Sequence, residues 1–163
     1  MRFFSLYFLS LFLFSCKNDG EKKYEHAIGG HELLSLIKNG SLADINALAK
    51  NSGFICADTT ETSDLLIYRY RDTLANESEL SCHVEKGQDV IYIRFETKDQ
   101  TGFKNIRQYL MNSGFVVVKE DRDIQQLGKP NSRVEIILST TDIGGDINFN
   151  VHLAIRPASY PVN

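Results

Sequence analysis

The sequence contains no tryptophan, and five of its ten phenylalanines lie within the first fourteen residues. The remainder of the chain therefore has few aromatic side chains from which to build a sugar-binding platform. There is no polybasic run, and 18 basic residues stand against 21 acidic ones. This balance argues against nucleic acid as a partner and against a second, basic contact with a membrane.

The motifs of common enzymes are incomplete in this chain. His31 to Ser35 departs from the zinc-protease motif HExxH, because Ser35 stands where the second histidine must be. Ser35 to Lys38 matches the SxxK motif, but its companion motifs are missing. Neither a glycine-rich phosphate loop nor a nucleophile elbow is present. The sequence predicts no catalytic residue, no metal site and no cofactor, although catalytic groups can assemble from distant parts of a chain.

Metal-binding residue types are present but dispersed. Of the four histidines, only His83 and His152 can meet across a sheet, and no cysteine or acidic cluster accompanies them at ligand spacing. A second group of oxygen ligands lacks the terminal glutamate of an EF-hand loop. We interpret this group as hairpin-turn residues followed by the polar face of a strand: Asp142, Asp146, Asn148 and Asn150.

The beginning of the chain is its most informative segment. Arg2 is followed by an apolar run from Phe3 to Phe14, and a polar segment begins directly after Cys16. A charged start, a short apolar stretch and a small residue before the cut predict a secretory signal peptide over residues 1–15. The run is too short for a transmembrane helix, which needs about 20 apolar residues.

The residues at the predicted cut, Leu13-Phe14-Ser15-Cys16, resemble the bacterial lipobox, from which Phe14 departs because the pattern prefers a smaller residue there. The resemblance implies that Cys16 is the lipid attachment site, carrying a diacylglycerol thioether and an acylated amino group. More than one acyl chain holds a protein firmly on a membrane. The protein is then expected in the bacterial cell envelope, anchored to the outer membrane on its periplasmic or surface face. A signal peptide with an incidental cysteine is the alternative.

Residues 16–30 are predicted to form the lipidated cysteine and a flexible tether. The segment after Cys16 is charged, contains Gly20 and shows no hydrophobic pattern. Its lysines and acids are similar to the residues that follow the lipidated cysteine in lipoproteins of the Bacteroidota. A solvated linker explains them equally well.

Two further cysteines, Cys56 and Cys82, remain in the mature chain. An oxidising envelope permits them to form a disulfide. Both lie on predicted strands, so pairing requires neighbouring strands with Cβ atoms about 4 Å apart. Two buried free thiols are the alternative.

Two short segments, Asp58-Thr59-Thr60 and Asp72-Thr73-Leu74, resemble the O-glycosylation motif of Bacteroidota envelope proteins. The resemblance implies that Thr59 and Thr73 are candidate O-glycosylation sites. Both segments are expected to lie in loop-like regions.

An internal repeat organises the rest of the chain. Residues 51–54 (NSGF) recur as residues 112–115, an offset of 61. Each copy follows apolar residues at helical spacing, with Ser41 and Asp99 as predicted N-caps. The glycine stands where a left-handed turn ends a helix, and the phenylalanine is placed to pack back on the last turn, as in a Schellman motif. An extended run follows each copy.

Alternating apolar residues predict further strands over residues 64–71, 79–85, 89–97, 133–140 and 146–156. The clean alternation of the last strand indicates an antiparallel sheet with one buried and one wet face. We therefore predict an α+β fold that contains two copies of one unit, a helix followed by an antiparallel meander. The copies span about residues 41–97 and 99–156, and their helices pack on one face of a six- to seven-stranded sheet. These units form a single globular domain over residues 31–157, and residues 158–163 form a tail.

Two classes of function are compatible with this organisation. The favoured class is a binding or interaction module, anchored to the membrane, for a protein partner. Its sharper version is an immunity- or inhibitor-like lipoprotein with an acidic surface against a basic partner, which the mature net charge of −4 permits. The alternative is a small envelope enzyme or ligand-binding protein, which requires a concave pocket with converging polar groups and displaced pKa values.

Overall fold

Three helices and eight strands make up the described part of the chain, which covers residues 28–73, 78–85 and 90–155 of a computed structural model. The predicted signal peptide, Cys16, most of the tether and the C-terminal tail lie outside it. In chain order the elements are α1 (Gly30–Asn39), α2 (Leu42–Asn51), β1 (Phe54–Glu61), β2 (Leu65–Asp72), β3 (Glu79–Glu85), β4 (Val90–Thr97), α3 (Gln100–Asn112), β5 (Val116–Asp121), β6 (Ile124–Gly128), β7 (Val134–Ile143) and β8 (Asp146–Ile155). None of the helices in these ranges is long and apolar enough to span a bilayer.

The starts of α2 and α3 follow from their capping residues. The Ser41 hydroxyl accepts a hydrogen bond from the Asp44 backbone N–H, and the Asp44 carboxylate accepts one from the Ser41 backbone N–H at 2.9 Å. These hydrogen bonds from Ser41 lower the pKa of Asp44. At α3 the Asp99 carboxylate accepts from the Thr101 N–H at 2.9 Å. Both predicted N-caps are confirmed.

Glycines in the left-handed conformation end α2 and α3. The φ angle is +80° at Gly53 and +89° at Gly114. After α3, the Phe115 N–H donates to the Leu110 carbonyl at 3.2 Å and the Gly114 N–H to the Met111 carbonyl at 3.0 Å, which are the two bonds of a Schellman motif. The phenylalanine that follows each glycine is buried. After α2 the Gly53 N–H donates to the Lys50 carbonyl at 3.3 Å, so the two helix ends share the left-handed glycine, this hydrogen bond and the buried phenylalanine.

The eight strands form one antiparallel sheet in the order β1-β2-β3-β4-β8-β7-β6-β5. Each half is a helix followed by a four-stranded meander, and the halves meet where β4 pairs with β8. The edge strands β1 and β5 each carry a bulge, at Ala57 and Val118, which are again 61 residues apart. The α+β class is confirmed, whereas the predicted count of six to seven strands is too low.

The strand missed from sequence is β6. It spans only five residues, and the preceding turn contains no glycine, proline or asparagine that would mark it. Arg122 makes that turn with a φ of +41°, a left-handed conformation that is uncommon outside glycine. Asp121 and Asp123, which flank Arg122, are the only residues near this turn of a type that favours turns.

The core lies between the helices and one face of the sheet. Tyr70 of β2 donates a hydrogen bond to Asn46 of α2 at 2.7 Å, and Phe149 of β8 stacks on Phe103 of α3 with ring centroids 5.0 Å apart. The main helix–sheet contacts are with β1, β3, β4 and β8. Fully or almost fully buried members of the core are Leu33, Ile37, Ile45, Leu80, Ile93, Ile106, Leu110, Ile136, Val151 and Leu153.

Candidate functional site on the open face of the sheet

The sheet face turned away from the helices is called here the open face. Its residues alternate along each strand with those of the core. Near its centre one cross-strand row runs through Arg69, Ser81, Arg94, His152 and Ile137, from β2 to β7. The next row begins at Ile67 and continues through His83 and Tyr92. Polar and aromatic side chains therefore converge where the two halves of the fold join.

His83, Tyr92 and His152 form a compact group that we call the His-Tyr-His cluster. The Tyr92 Oη lies 2.5 Å from the His152 Nδ1. The His83 and Tyr92 rings have centroids 4.7 Å apart, and the Tyr92 and His152 rings 6.0 Å apart. Tyr92 reaches His152 diagonally across β4 and β8, which is the distance that a long aromatic side chain can span. One tyrosine therefore contacts both histidines.

Burial sets the protonation state of the cluster. Burial lowers the pKa of His83, and the positive charge of Arg69 lowers it a little further. Burial also lowers the pKa of His152; the charge of Arg94 lowers it further, whereas the charge of Glu96 raises it. Burial also raises the pKa of Tyr92, against the effect of Arg94. At neutral pH both imidazoles are uncharged and the phenol keeps its proton. The Tyr92 hydroxyl and the His152 Nδ1 share a hydrogen bond whose donor is set by the tautomer of the neutral His152 ring.

Two arginines flank the cluster, each held by a carboxylate. The Arg69 Nη1 lies 2.5 Å from the Asp58 Oδ2, and the Arg94 Nη2 lies 2.5 Å from the Glu96 Oε2. Arg94 also donates to the Asn150 Oδ1 at 3.4 Å. The arginine side chains are 39% and 46% exposed, so these pairs add little to stability. Their main effect is to order the guanidinium groups over the face.

Apolar surface adjoins the cluster on β7. Ile137, 36% exposed, lies directly opposite His152 and continues the cluster as apolar surface. Within residues 28–73, 78–85 and 90–155, no three His, Cys, Asp or Glu residues are placed to hold a metal ion. The cavity described below lies beside α3, on the opposite side of the sheet from the cluster.

The two cysteines are free thiols in the structure. Cys56 is exposed on the edge strand β1, and Cys82 is buried on β3. Because β2 lies between these strands, the condition for a disulfide, neighbouring strands, is not met. Burial raises the pKa of the Cys82 thiol to about 12. The structure therefore matches the alternative expectation of two free thiols, except that Cys56 is exposed instead of buried.

The candidate O-glycosylation sites differ in their setting. Thr59 is exposed on β1, and so lies in an edge strand instead of the predicted loop. Thr73 is exposed after β2, and its hydroxyl donates to the Gly53 carbonyl at 2.8 Å. Leu74, the last residue of the second motif, lies outside the described residues, as does Cys16. Modification at Thr59 and Thr73 stays a prediction.

The polar residues of the β7–β8 hairpin behave as predicted. Gly144 and Gly145 form its turn with positive φ angles, and the Gly145 N–H donates to the Asp142 Oδ1 at 2.8 Å. Asn148 and Asn150 pair across to β7 on the open face. The sequence also indicated that His83 and His152 can meet, but it missed Tyr92 between them. The one available signal was the position of Tyr92 among the polar residues of β4.

Comparison with protein-family models, curated proteins and solved structures finds no match to this chain. The functional interpretation therefore depends on the open face and on the motifs of the N-terminal segment.

Proposed function

We propose that the protein is a lipid-anchored envelope protein whose open face binds a protein partner. The observation that carries the proposal is the His-Tyr-His cluster, which lies at the centre of the face between two ordered arginines. Tyrosine and arginine are enriched among the residues that dominate binding energy at protein interfaces. The cluster also lies at the middle of the surface, where such residues concentrate.

The size of the face supports this proposal. Eight strands have seven gaps of about 4.8 Å, which gives a width of about 34 Å. A strand of seven residues is about 23 Å long, so the face measures roughly 780 Å². A standard interface buries about 800 Å² on each partner. One partner docked on the face would therefore form a contact of ordinary size.

The ordering of the side chains supports it further. The carboxylates of Asp58 and Glu96 hold the arginines, and the hydrogen bond to His152 holds Tyr92. Side chains that are ordered before binding lose less conformational entropy on association. The partner is expected to present carbonyl or carboxylate oxygens to the arginines and an apolar contact to Tyr92. The inhibitor-like version needs an acidic surface and draws no support from this centre.

The predicted lipid supplies the location of the contact. Eleven residues lie between Cys16 and Ile28, the first described residue. A segment of that length spans at most about 40 Å when fully extended. Ile28, where the domain begins, would then lie within that distance of the bilayer.

Site-specific photo-crosslinking in cells tests the open face. A photoreactive phenylalanine analogue replaces Ile137 on the open face, or Ala47, which is exposed on α2, as the matched control. We expect one discrete adduct from position 137 and none from position 47. Adducts from position 47 alone, or from neither position, would contradict the proposal.

Membrane fractionation tests the anchor separately. The substitution Cys16→Ser removes the predicted attachment atom, so the protein should move from the membrane fraction to the soluble envelope fraction. Membrane retention of Cys16→Ser would show that the lipoprotein assignment is wrong.

A further inference from the structure

A cavity of about 360 Å³ lies beside α3, on the helix side of the sheet. It lies between α3 and the strands β6, β7 and β8. One wall is the exposed side of α3, the floor is formed by β6, β7 and β8, and the β5–β6 turn closes one end. Its volume is typical of a site for a small molecule.

Positive charge from two separate segments faces this cavity. Lys104 and Arg107 are three residues apart on α3 and so share one side of the helix, and Arg122 comes from the β5–β6 turn. Asp123 is the one acidic residue in the lining, which leaves a net charge of +2. In the described part of the chain, neither Lys104 nor Arg122 has a carboxylate within ion-pair distance. In a protein with net charge −3, this concentration is notable.

Arg107 is positioned without being neutralised. Its Nε donates to the Gln125 Oε1 at 2.9 Å, and the Gln125 Nε2 donates to the Glu120 Oε1 at 2.5 Å. An amide, which is uncharged, therefore fixes the guanidinium. The remaining N–H groups of Arg107 keep the geometry that suits a carboxylate or a phosphate.

The backbone at Arg122 gives an independent argument. Its φ of +41° is a conformation that glycine adopts freely and an L side chain does not. Residues held in such conformations cluster at functional sites. A glycine would make this turn more easily. We therefore attribute the arginine at this position to its side chain, which lines the cavity.

Two aromatic rings and a leucine supply the apolar part of the remaining lining, which also includes Gln100, Ser139 and Thr140. Phe103 and Phe149 stack with ring centroids 5.0 Å apart and an interplanar angle of 29°, and Leu138 adjoins them. We propose that this cavity binds a small organic anion that carries one aromatic or similarly flat apolar group and a carboxylate or phosphate head. The apolar group packs on Phe103 and Phe149, and the head contacts Arg107 and Arg122. This site is separate from the open face and does not depend on it.

Isothermal titration of the full mature protein in detergent micelles tests the proposal. The probes are benzoate and phenyl phosphate. Two half-probes serve as controls: inorganic phosphate represents the anionic head alone, and benzyl alcohol represents the uncharged ring alone. We expect at least one of the two organic anions to bind about tenfold more tightly than either half-probe, and the tighter one identifies the head. Failure of both to bind at about 10 mM, or equally tight binding of inorganic phosphate, would overturn the proposal.

Two variants assign the binding to these side chains. Arg107→Gln and Arg122→Gly should each weaken the organic anion about tenfold, whereas Lys50→Gln, on the exposed end of α2, should not. The thermal midpoint of Arg122→Gly should stay unchanged or rise, because glycine suits the φ of +41°. Unchanged anion affinity in both Arg107→Gln and Arg122→Gly would place the binding elsewhere and overturn the assignment.

Discussion

Mild acid is expected to destabilise the protein through His83 and His152. Burial holds the pKa of both residues below the ordinary value of 6.5 in the folded chain. Below pH 6.5 the unfolded chain therefore binds more protons than the folded chain. Stability is fully present above that pH and is lost as the pH falls toward the folded-state pKa values.

The size of the loss follows from proton linkage. A histidine that stays neutral in the folded state costs about 1 kcal/mol when the pH falls from about 6.5 to about 5.5. The two histidines together therefore cost up to about 2 kcal/mol. Both are only partly buried, so this value is an upper limit. It is still a large fraction of the 5–15 kcal/mol that is typical of a folded domain.

Urea unfolding at several pH values between about 5.5 and 7.5, followed by circular dichroism, measures this loss. The double variant His83→Gln, His152→Gln should show a flatter dependence of the free energy of unfolding on pH. His31→Gln is the matched control, because the His31 side chain is 71% exposed on α1. A double variant with the same pH dependence as the wild type would refute the interpretation of the cluster.

Two further predictions concern the helix ends and the thiols. Gly114→Ala should lower the free energy of unfolding by about 1–2 kcal/mol, because an L residue is strained at a φ of +89°. The strain is in the backbone alone, since an added Cβ would have room at this position. Gly53→Ala should cost a similar amount, since its φ is +80°, and a much smaller effect at one position would contradict the equivalence of the two helix ends. Iodoacetamide should alkylate Cys56 in the folded protein and Cys82 only after unfolding. Mass spectrometry after labelling distinguishes this result from a disulfide, which would leave both sulfurs unlabelled without reduction.

Local chemistry explains which parts of the fold could be predicted from the sequence. The caps at Ser41 and Asp99 and the glycines at the helix ends are determined by residues within one turn of each other. The missed strand β6 depends on a turn at Arg122 that only the flanking Asp121 and Asp123 mark in the sequence. The pairing of β4 with β8 joins residues about 60 apart in the chain, and local patterns do not specify it.

The candidate sites were less predictable for the same reason. His83 and His152 were recognised as able to meet, but the position of Tyr92 between them depends on the register of three strands. The cavity beside α3 combines Arg107 with Arg122, whose segments are brought together only by the sheet order. In both cases the residue types were visible in the sequence, and their neighbours were not.

The central claim, that the open face binds a protein partner through the cluster, is tested most directly by crosslinking from position 137 in a Tyr92→Ala background. Truncation of an interface tyrosine typically costs about 2 kcal/mol of binding energy, so the yield of the adduct should fall by about tenfold or more. Tyr109→Ala, which removes an exposed tyrosine from α3, should leave the yield unchanged. Equal adduct yields in the Tyr92→Ala and Tyr109→Ala backgrounds would contradict the account.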